Sequence, residues 1–197
     1  MTAETSPERS LQRWTAAAEY PDMWVDPADD PREKVDEGVG EKALLSAYLG
    51  RYRMTFEMKC EGLDAGQLAQ RSVPPSNMSL LGLLRHLADV EHSWCRRFIE
   101  GQPDLPRLFR SPADRDLDFN GAVADDAVAA EAWAAWRAEV AHARDVYAGV
   151  EDLGALVGPE GHQAEVRDVV VHLIEEYARH CGHADLLRER IDGRVGQ

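Results

Sequence analysis

The most informative segment of this sequence is His172-Leu-Ile-Glu-Glu-Tyr-Ala-Arg-His-Cys-Gly-His183. Its apolar residues recur at three- and four-residue steps, which predicts an amphipathic helix that begins near residue 164 and ends before Gly193. At about 100° per residue, His180 lies within the apolar arc of this helix and Glu176 lies at its margin. An inward carboxylate beside a histidine is costly unless it is paired or bound to a metal ion. The i, i+4 pair therefore predicts two ligands for one cation on a single helix face, with a simple ion pair as the alternative.

A third ligand must come from another helix, because two ligands from one helix make a weak site. The segment Ser79-Leu-Leu-Gly-Leu-Leu-Arg-His-Leu-Ala-Asp-Val-Glu91 predicts a second amphipathic helix, capped by Ser79 and extending to about Glu100. His86 occupies the margin of its apolar face, as Glu176 does on the last helix. Two such margins facing each other would hold a metal ion within a bundle. A single inward histidine, by contrast, is more often a hydrogen-bonded core residue.

Two more helical patterns complete the predicted fold. Residues 41–61 and 125–147 show the same apolar spacing, and no alternating segment indicates a strand. The proline-containing residues 63–78 and 101–124 connect the first helix to the second and the second to the third. Four long helices with one long connection predict an all-α four-helix bundle. A connection as long as that between the second and third helices is often functional, but no residue in it identifies a ligand.

The chain is expected to consist of two parts, an acidic N-terminal extension at residues 1–40 and the bundle at residues 41–197. The extension carries Trp14, Tyr20 and Trp24, which is unusual for an acidic and weakly periodic segment. Docking of these aromatic side chains on the bundle is the first interpretation. An arm that binds a partner is the alternative.

The composition restricts the classes of partner. The 197 residues include 36 acidic and 22 basic side chains, so the formal net charge is −14. That balance argues against binding nucleic acid or anionic membranes, and no apolar run is long enough to cross a bilayer. Cys60, Cys95 and Cys181 are odd in number and widely spaced, which favours a reducing cytoplasm over a disulfide framework. Cys181 adjoins His180 but points away from the predicted ligands, so we interpret it as a buried apolar residue rather than a nucleophile.

The segments Ser79–Glu91 and Val171–Leu187 resemble the DinB-like superfamily of metal-binding four-helix bundles, and the resemblance covers residues 41–193. This superfamily includes mycothiol- and bacillithiol-dependent transferases and the mycothiol-dependent maleylpyruvate isomerase. In these proteins the metal is held by one histidine of the second helix and by a pair four residues apart on the fourth. The resemblance places this ligand set at His86, Glu176 and His180. The glutamate stands where many relatives have histidine, as it does in the maleylpyruvate isomerase.

The resemblance implies a metal-dependent chemistry of small thiols. Zinc is the first choice for two histidines and a glutamate, with nickel, manganese and iron as alternatives. A low-molecular-weight thiol would bind at the open coordination position as thiolate and attack a small electrophile, giving S-transfer or isomerisation. The composition is rich in Ala, Arg, Val and Asp, as GC-rich actinobacterial coding would produce, and this favours mycothiol as that thiol.

Three further side chains are candidates to surround the ligands. His183 and His172 fall about 20° and 40° beyond Glu176 around the last helix, and a ring N–H from either would orient its carboxylate. Glu91 either serves a similar role or pairs with an arginine. The remaining histidines, which we expect to be solvated, are His92, His142 and His162.

Two other functions are compatible with the same residues. A non-catalytic metal-binding or stress-associated bundle would bind metal without reacting with thiols, and self-association as a homodimer would suit it. A hydrolase that activates water on the metal would depend on metal but not on thiol.

Overall fold

The computed structural model describes residues 11–35 and 38–197, so the parts of the predicted N-terminal extension at residues 1–10 and 36–37 lie outside the described residues. The α-helices in the described residues are α1 (Glu41–Cys60), α2 (Ala65–Ala69), α3 (Leu80–His92), α4 (Leu117–Asn120), α5 (Asp126–Gly149) and α6 (Val166–Asp192). A 3₁₀ turn (Pro31–Lys34) precedes α1, and a π-helical segment (Ser93–Ile99) continues α3. Strands β1 (Leu156–Val157) and β2 (Ala164–Glu165) pair as a short antiparallel ribbon between α5 and α6. The predicted all-α bundle is confirmed, with α1, α3, α5 and α6 as its long helices.

The ends of the long helices follow from their capping residues. The Ser79 hydroxyl accepts a hydrogen bond from the Gly82 amide at 3.0 Å and starts α3, as the sequence predicts. The Asp125 carboxylate accepts from the Ala127 amide at 2.7 Å and starts α5. Gly193 ends α6 in the left-handed conformation, with φ of 82°, which a residue with a side chain rarely adopts.

Helices α1 and α6 run parallel to each other along the bundle. Arg167 near the start of α6 donates to Glu41 at the start of α1, with a nitrogen–oxygen distance of 2.8 Å. Lys59 near the end of α1 lies 2.7 Å from Asp185 in the second half of α6. Matching contacts at both ends require the same direction for the two helices.

Helices α3 and α5 also run parallel to each other, and opposite to α6, because His86 lies beside Glu176 whereas Trp94, further along, lies beside His172. Arg85 on α3 faces Glu131 on α5, and the Arg96 guanidinium further along donates to Glu139 at 2.7 Å. The bundle therefore has an up–down–down–up order, and the chain has to return along its full length between α3 and α5. That return explains the long connection at residues 101–124.

The connections contain short elements that the sequence reading missed. Residues 63–78 include α2, because Asp64 and Gln67 form a capping box: each side chain bonds the backbone amide of the other, at 2.8 and 3.1 Å. The long connection includes α4, which packs against α3. The last helix begins at Val166 rather than near residue 164, because Ala164 and Glu165 pair with β1.

The centre of the bundle holds a polar network with one residue from each long helix. The Arg53 guanidinium donates to both carboxylate oxygens of Glu91 at 2.7 Å, and both side chains are almost completely buried. The Tyr177 hydroxyl donates to Glu91 at 2.8 Å and accepts from the Trp136 indole N–H at 2.8 Å. Around this network, apolar side chains of all four helices form one continuous core.

Residues 11–35 contact the C-terminal end of α6 and the segment that follows it. The backbone of Trp14 bonds Gly193 and Val195 at 3.0 and 2.9 Å. The Trp24 ring is 2% exposed and lies against the Lys59 ammonium and the Arg194 guanidinium, at 4.0 and 3.8 Å from the ring centroid. The division of the chain into two parts at residue 40 stays a prediction. In the described ranges, no helix has the length and apolar character needed to cross a membrane.

Candidate metal centre

The predicted ligands lie together where α3 packs against α6. His86, Glu176 and His180 each offer one ligand atom, and these atoms all lie within 4.8 Å of one another. Nε2 of His180 is 3.3 Å from Oε2 of Glu176, and Nε2 of His86 is 3.8 Å from the same oxygen. The two imidazole rings have centroids 4.8 Å apart. The structure thus brings the three sequence-predicted residues into one cluster, although two of them lie about ninety positions after the first.

Both histidine rings direct Nε2 toward the centre of this cluster and have Nδ1 bonded outside it. Nδ1 of His86 is 2.9 Å from the Asp118 carboxylate, and Nδ1 of His180 is 3.2 Å from Nδ1 of His183. A proton on each Nδ1 leaves the Nε2 lone pair free to bind a metal ion. Two such nitrogens and a carboxylate oxygen fit the donor set of a zinc-type ion with an open position.

His183 and His172 contact different residues of the predicted ligand set. We predicted that either would orient Glu176, but His183 contacts His180 instead, because it lies one turn further along the same face. Burial and the charges of His180 and Arg179 lower the pKa of His183, so its neutral ring can accept a hydrogen bond. His172 has Nε2 at 3.5 Å from Oε1 of Glu176, the oxygen that does not face the two ligand histidines.

Glu91 does not contact the cluster. Its carboxylate pairs with Arg53, so the arginine alternative is the one that the structure supports.

The electrostatic environment favours an ionised Glu176. Contacts with His180 and then with His86 outweigh the effect of burial and hold the pKa of this carboxyl well below its usual range. For His86, burial alone would lower the pKa, but Asp118 and Glu176 together raise it to about 9. In the ion-free protein at neutral pH, a protonated His86 therefore lies between two carboxylates. A metal ion would have to replace that proton.

Asp118 contacts the candidate ligand His86 and was not predicted from the sequence. It lies in α4, within the connection where no residue had identified a ligand, and it is 9% exposed. Its place is fixed by Arg85, which donates to the carbonyls of Asp118 and Leu117 at 3.0 and 3.1 Å. No local signal distinguishes Asp118 from the other acidic residues of the connection, since its partner His86 is 32 positions away.

Gly82 on α3 makes room for the side chain of Phe119 on α4. The Phe119 ring stacks on the His86 ring with centroids 5.6 Å apart. A Cβ at position 82 would lie 2.6 Å from the Phe119 ring, so a larger residue at Gly82 would push the phenylalanine away from the imidazole.

Some of the predictions for the other histidines and for Cys181 agree with the structure, and others do not. His92 is buried and bonded to the Pro106 carbonyl at 3.1 Å, so the prediction that it is solvated is wrong. His162 is exposed, as predicted, whereas His142 is only partly exposed and bonded to Glu100. Cys181 is buried, and its thiol lies 3.6 Å from a backbone carbonyl of α1.

A family model described as mycothiol-S-transferase matches residues 44–193. The chain belongs to the mycothiol-S-transferase family. The predicted membership of the DinB-like superfamily is thereby confirmed, and the match includes every residue of the candidate metal centre. Residues 11–35, which contact the bundle, lie outside the matched range.

A solved structure supports the same fold for this mycothiol-S-transferase family member. The fold is similar to that of a conserved protein of a locus from Enterococcus faecalis, with a TM-score of 0.55 and 18% sequence identity. The similarity covers 79% of this chain and 99% of the other chain. At this identity the likeness concerns the fold alone. No curated protein matches the sequence.

Proposed function

We propose that this protein binds a divalent metal ion through His86, Glu176 and His180 and transfers a low-molecular-weight thiol, of the mycothiol type, to a small electrophile. The convergence of two imidazole Nε2 atoms and one carboxylate oxygen, each histidine bonded through Nδ1, carries the proposal. Zinc is the expected ion. Such an ion, when bound, lowers the pKa of a thiol ligand and so makes the sulfur a better nucleophile at neutral pH.

The surrounding residues would prepare this site without binding the ion themselves. Asp118 and His183 hold the tautomers in which Nε2 of each ligand histidine is free. His172 contacts the second oxygen of Glu176 and packs against the Trp94 ring, with centroids 4.6 Å apart. Trp94 and His172 thus form an aromatic wall beside the ligands, where the thiol and the electrophile would meet.

The first experiment measures metal content. Purified wild-type protein should contain a zinc-type ion at this centre, held by three protein ligands with one open position. His86→Ala and Glu176→Ala should each contain about one ion per chain fewer than the wild type, whereas His162→Ala, which alters an exposed loop histidine, should match the wild type. Equal metal content in all four proteins would contradict the ligand assignment.

The second experiment tests the thiol. The protein loaded with Co²⁺ should change its visible spectrum when mycothiol is added, because sulfur replaces a water ligand, and it should conjugate mycothiol to a bimane electrophile. A spectrum that mycothiol never alters would favour the non-catalytic metal-binding bundle. Hydrolytic activity that needs metal but no thiol would favour the hydrolase.

A further inference from the structure

A second cluster of ligand-type side chains lies between the π-helical segment and α5. Cys95, Glu100 and His142 each offer one ligand atom, and these atoms all lie within 4.8 Å of one another. Nε2 of His142 is 2.8 Å from a carboxylate oxygen of Glu100. The Cys95 thiol is completely buried, while the Glu100 and His142 side chains are 28% and 27% exposed. The cluster therefore has a sulfur on its inner side and an imidazole and a carboxylate toward solvent.

The wide turn of the π-helical segment creates this arrangement. The Glu100 amide donates to the Cys95 carbonyl at 3.0 Å, which is a bond between residues five apart. In a regular α-helix, residues five apart would point about 140° away from each other around the axis. The wider turn brings Cys95 and Glu100 to the same side, facing α5. π-helical segments are rare and frequently occur at functional sites.

We propose that Cys95, Glu100 and His142 form a second divalent-metal site, which takes zinc through a cysteine thiolate. Thiolate, imidazole and carboxylate are all zinc ligands, and three protein ligands leave one position for water. When the ion binds, the sulfur–metal bond forms and the thiol proton passes to solvent. The site differs from the first one in containing sulfur, which is the ligand that selects zinc over magnesium, calcium or manganese.

The second ion would brace the turn that leads to the first site. Trp94 precedes Cys95 in the π-helical segment and packs against His172, which contacts Glu176. Two contacts already tie this turn to α5, between Arg96 and Glu139 at 2.7 Å and between Glu100 and His142 at 2.8 Å. A bound ion would join the Cys95 sulfur to the His142 ring of α5 as well. It would thereby fix the position of the Trp94 ring beside the first site. This bracing role rests on the function proposed above, whereas binding of the second ion does not.

Titration with Co²⁺ distinguishes the two sites, because only a thiolate ligand gives the intense near-ultraviolet charge-transfer absorption from sulfur to cobalt. The wild type should bind two Co²⁺ per chain and show this absorption. His86→Ala should bind one Co²⁺ and keep the absorption in full. Cys95→Ala should bind one Co²⁺ and lose the absorption, and His142→Ala should weaken that binding at least tenfold. Cys60→Ala, which removes another buried thiol, should match the wild type.

Three outcomes would overturn the proposal. They are a wild type without charge-transfer absorption at millimolar Co²⁺, absorption that persists in Cys95→Ala, and Co²⁺ binding that His142→Ala leaves unchanged. His142→Ala alters a partly exposed side chain, so it keeps the test valid if Cys95→Ala does not fold. If His86→Ala instead binds as many ions as the wild type while the absorption depends on Cys95, the second site stands and the first ligand set is wrong.

Discussion

The buried pair of Arg53 and Glu91 provides a strong test of how the bundle is stabilised. Its side chains are 3% and 0% exposed, and both nitrogen–oxygen distances are 2.7 Å. Removing one partner leaves the other charge buried without compensation, which costs about 3–5 kcal/mol. We therefore expect Arg53→Met to lower the free energy of unfolding by that amount. For a chain of this size, the loss corresponds to a decrease in Tm of about 6–20 °C.

Removing both charges should restore much of this stability. In Arg53→Met/Glu91→Leu no charge is buried, and the remaining defect is the Tyr177 hydroxyl, which loses the acceptor now 2.8 Å away. An unsatisfied hydroxyl of this kind costs about 1–3 kcal/mol. The double variant should thus be more stable than Arg53→Met, although it carries one more substitution.

Urea denaturation of the wild type, both single variants and the double variant measures this coupling directly. The matched control is Arg137→Met, since Arg137 pairs with Glu57 at the surface, where the side chains are 62% and 41% exposed. That substitution should cost at most about 1 kcal/mol. The reasoning is refuted if Arg53→Met costs no more than this control, or if the double variant loses the sum of the two single losses.

Three further predictions concern the candidate metal centre and the N-terminal segment. Asp118→Ala should weaken metal binding about 10- to 100-fold. Isothermal calorimetry at pH 9, where the proton on His86 competes little with the metal ion, measures this change. Asp114→Ala, which alters another acidic residue of the same connection, should leave metal binding unchanged. The pKa of His86 is raised to about 9 in the ion-free fold, from about 6.5 in the unfolded chain. The contacts of His86 should therefore stabilise the ion-free protein fully below about pH 6.5. This stabilisation should decrease progressively as the pH rises through 9. Thermal melts of chelator-treated wild type and His86→Ala should therefore converge at high pH, and a constant difference would contradict the assignment. Trp24→Ala should cost about 3–5 kcal/mol in urea denaturation, whereas Tyr20→Ala, at a side chain 49% exposed, should cost little.

The long helices and the first ligand pair could be predicted because both depend on local spacing. The steps between apolar residues determine which side chains share a helix face, and that alone places Glu176 and His180 together. The contribution of His86 could also be predicted, since a polar residue at the margin of an apolar face has to meet a neighbouring helix. The short helix α4 and the ribbon before α6 were missed, because two to four residues give no periodicity to detect.

The wrong prediction for His92 on α3 has a physical cause, which is the path of the connection at residues 101–124. Helix periodicity identifies an apolar and a polar face, and it treats the polar face as solvated. Here the returning connection covers that face, so every residue of α3 except His86 is buried. The polar side chains Arg85, Asp89 and His92, at three- and four-residue steps, bind backbone or side-chain groups of the connection rather than water. The same coverage brings the carboxylate from α4 to Nδ1 of His86, so the candidate metal centre depends on a contact that no periodicity within one helix could reveal.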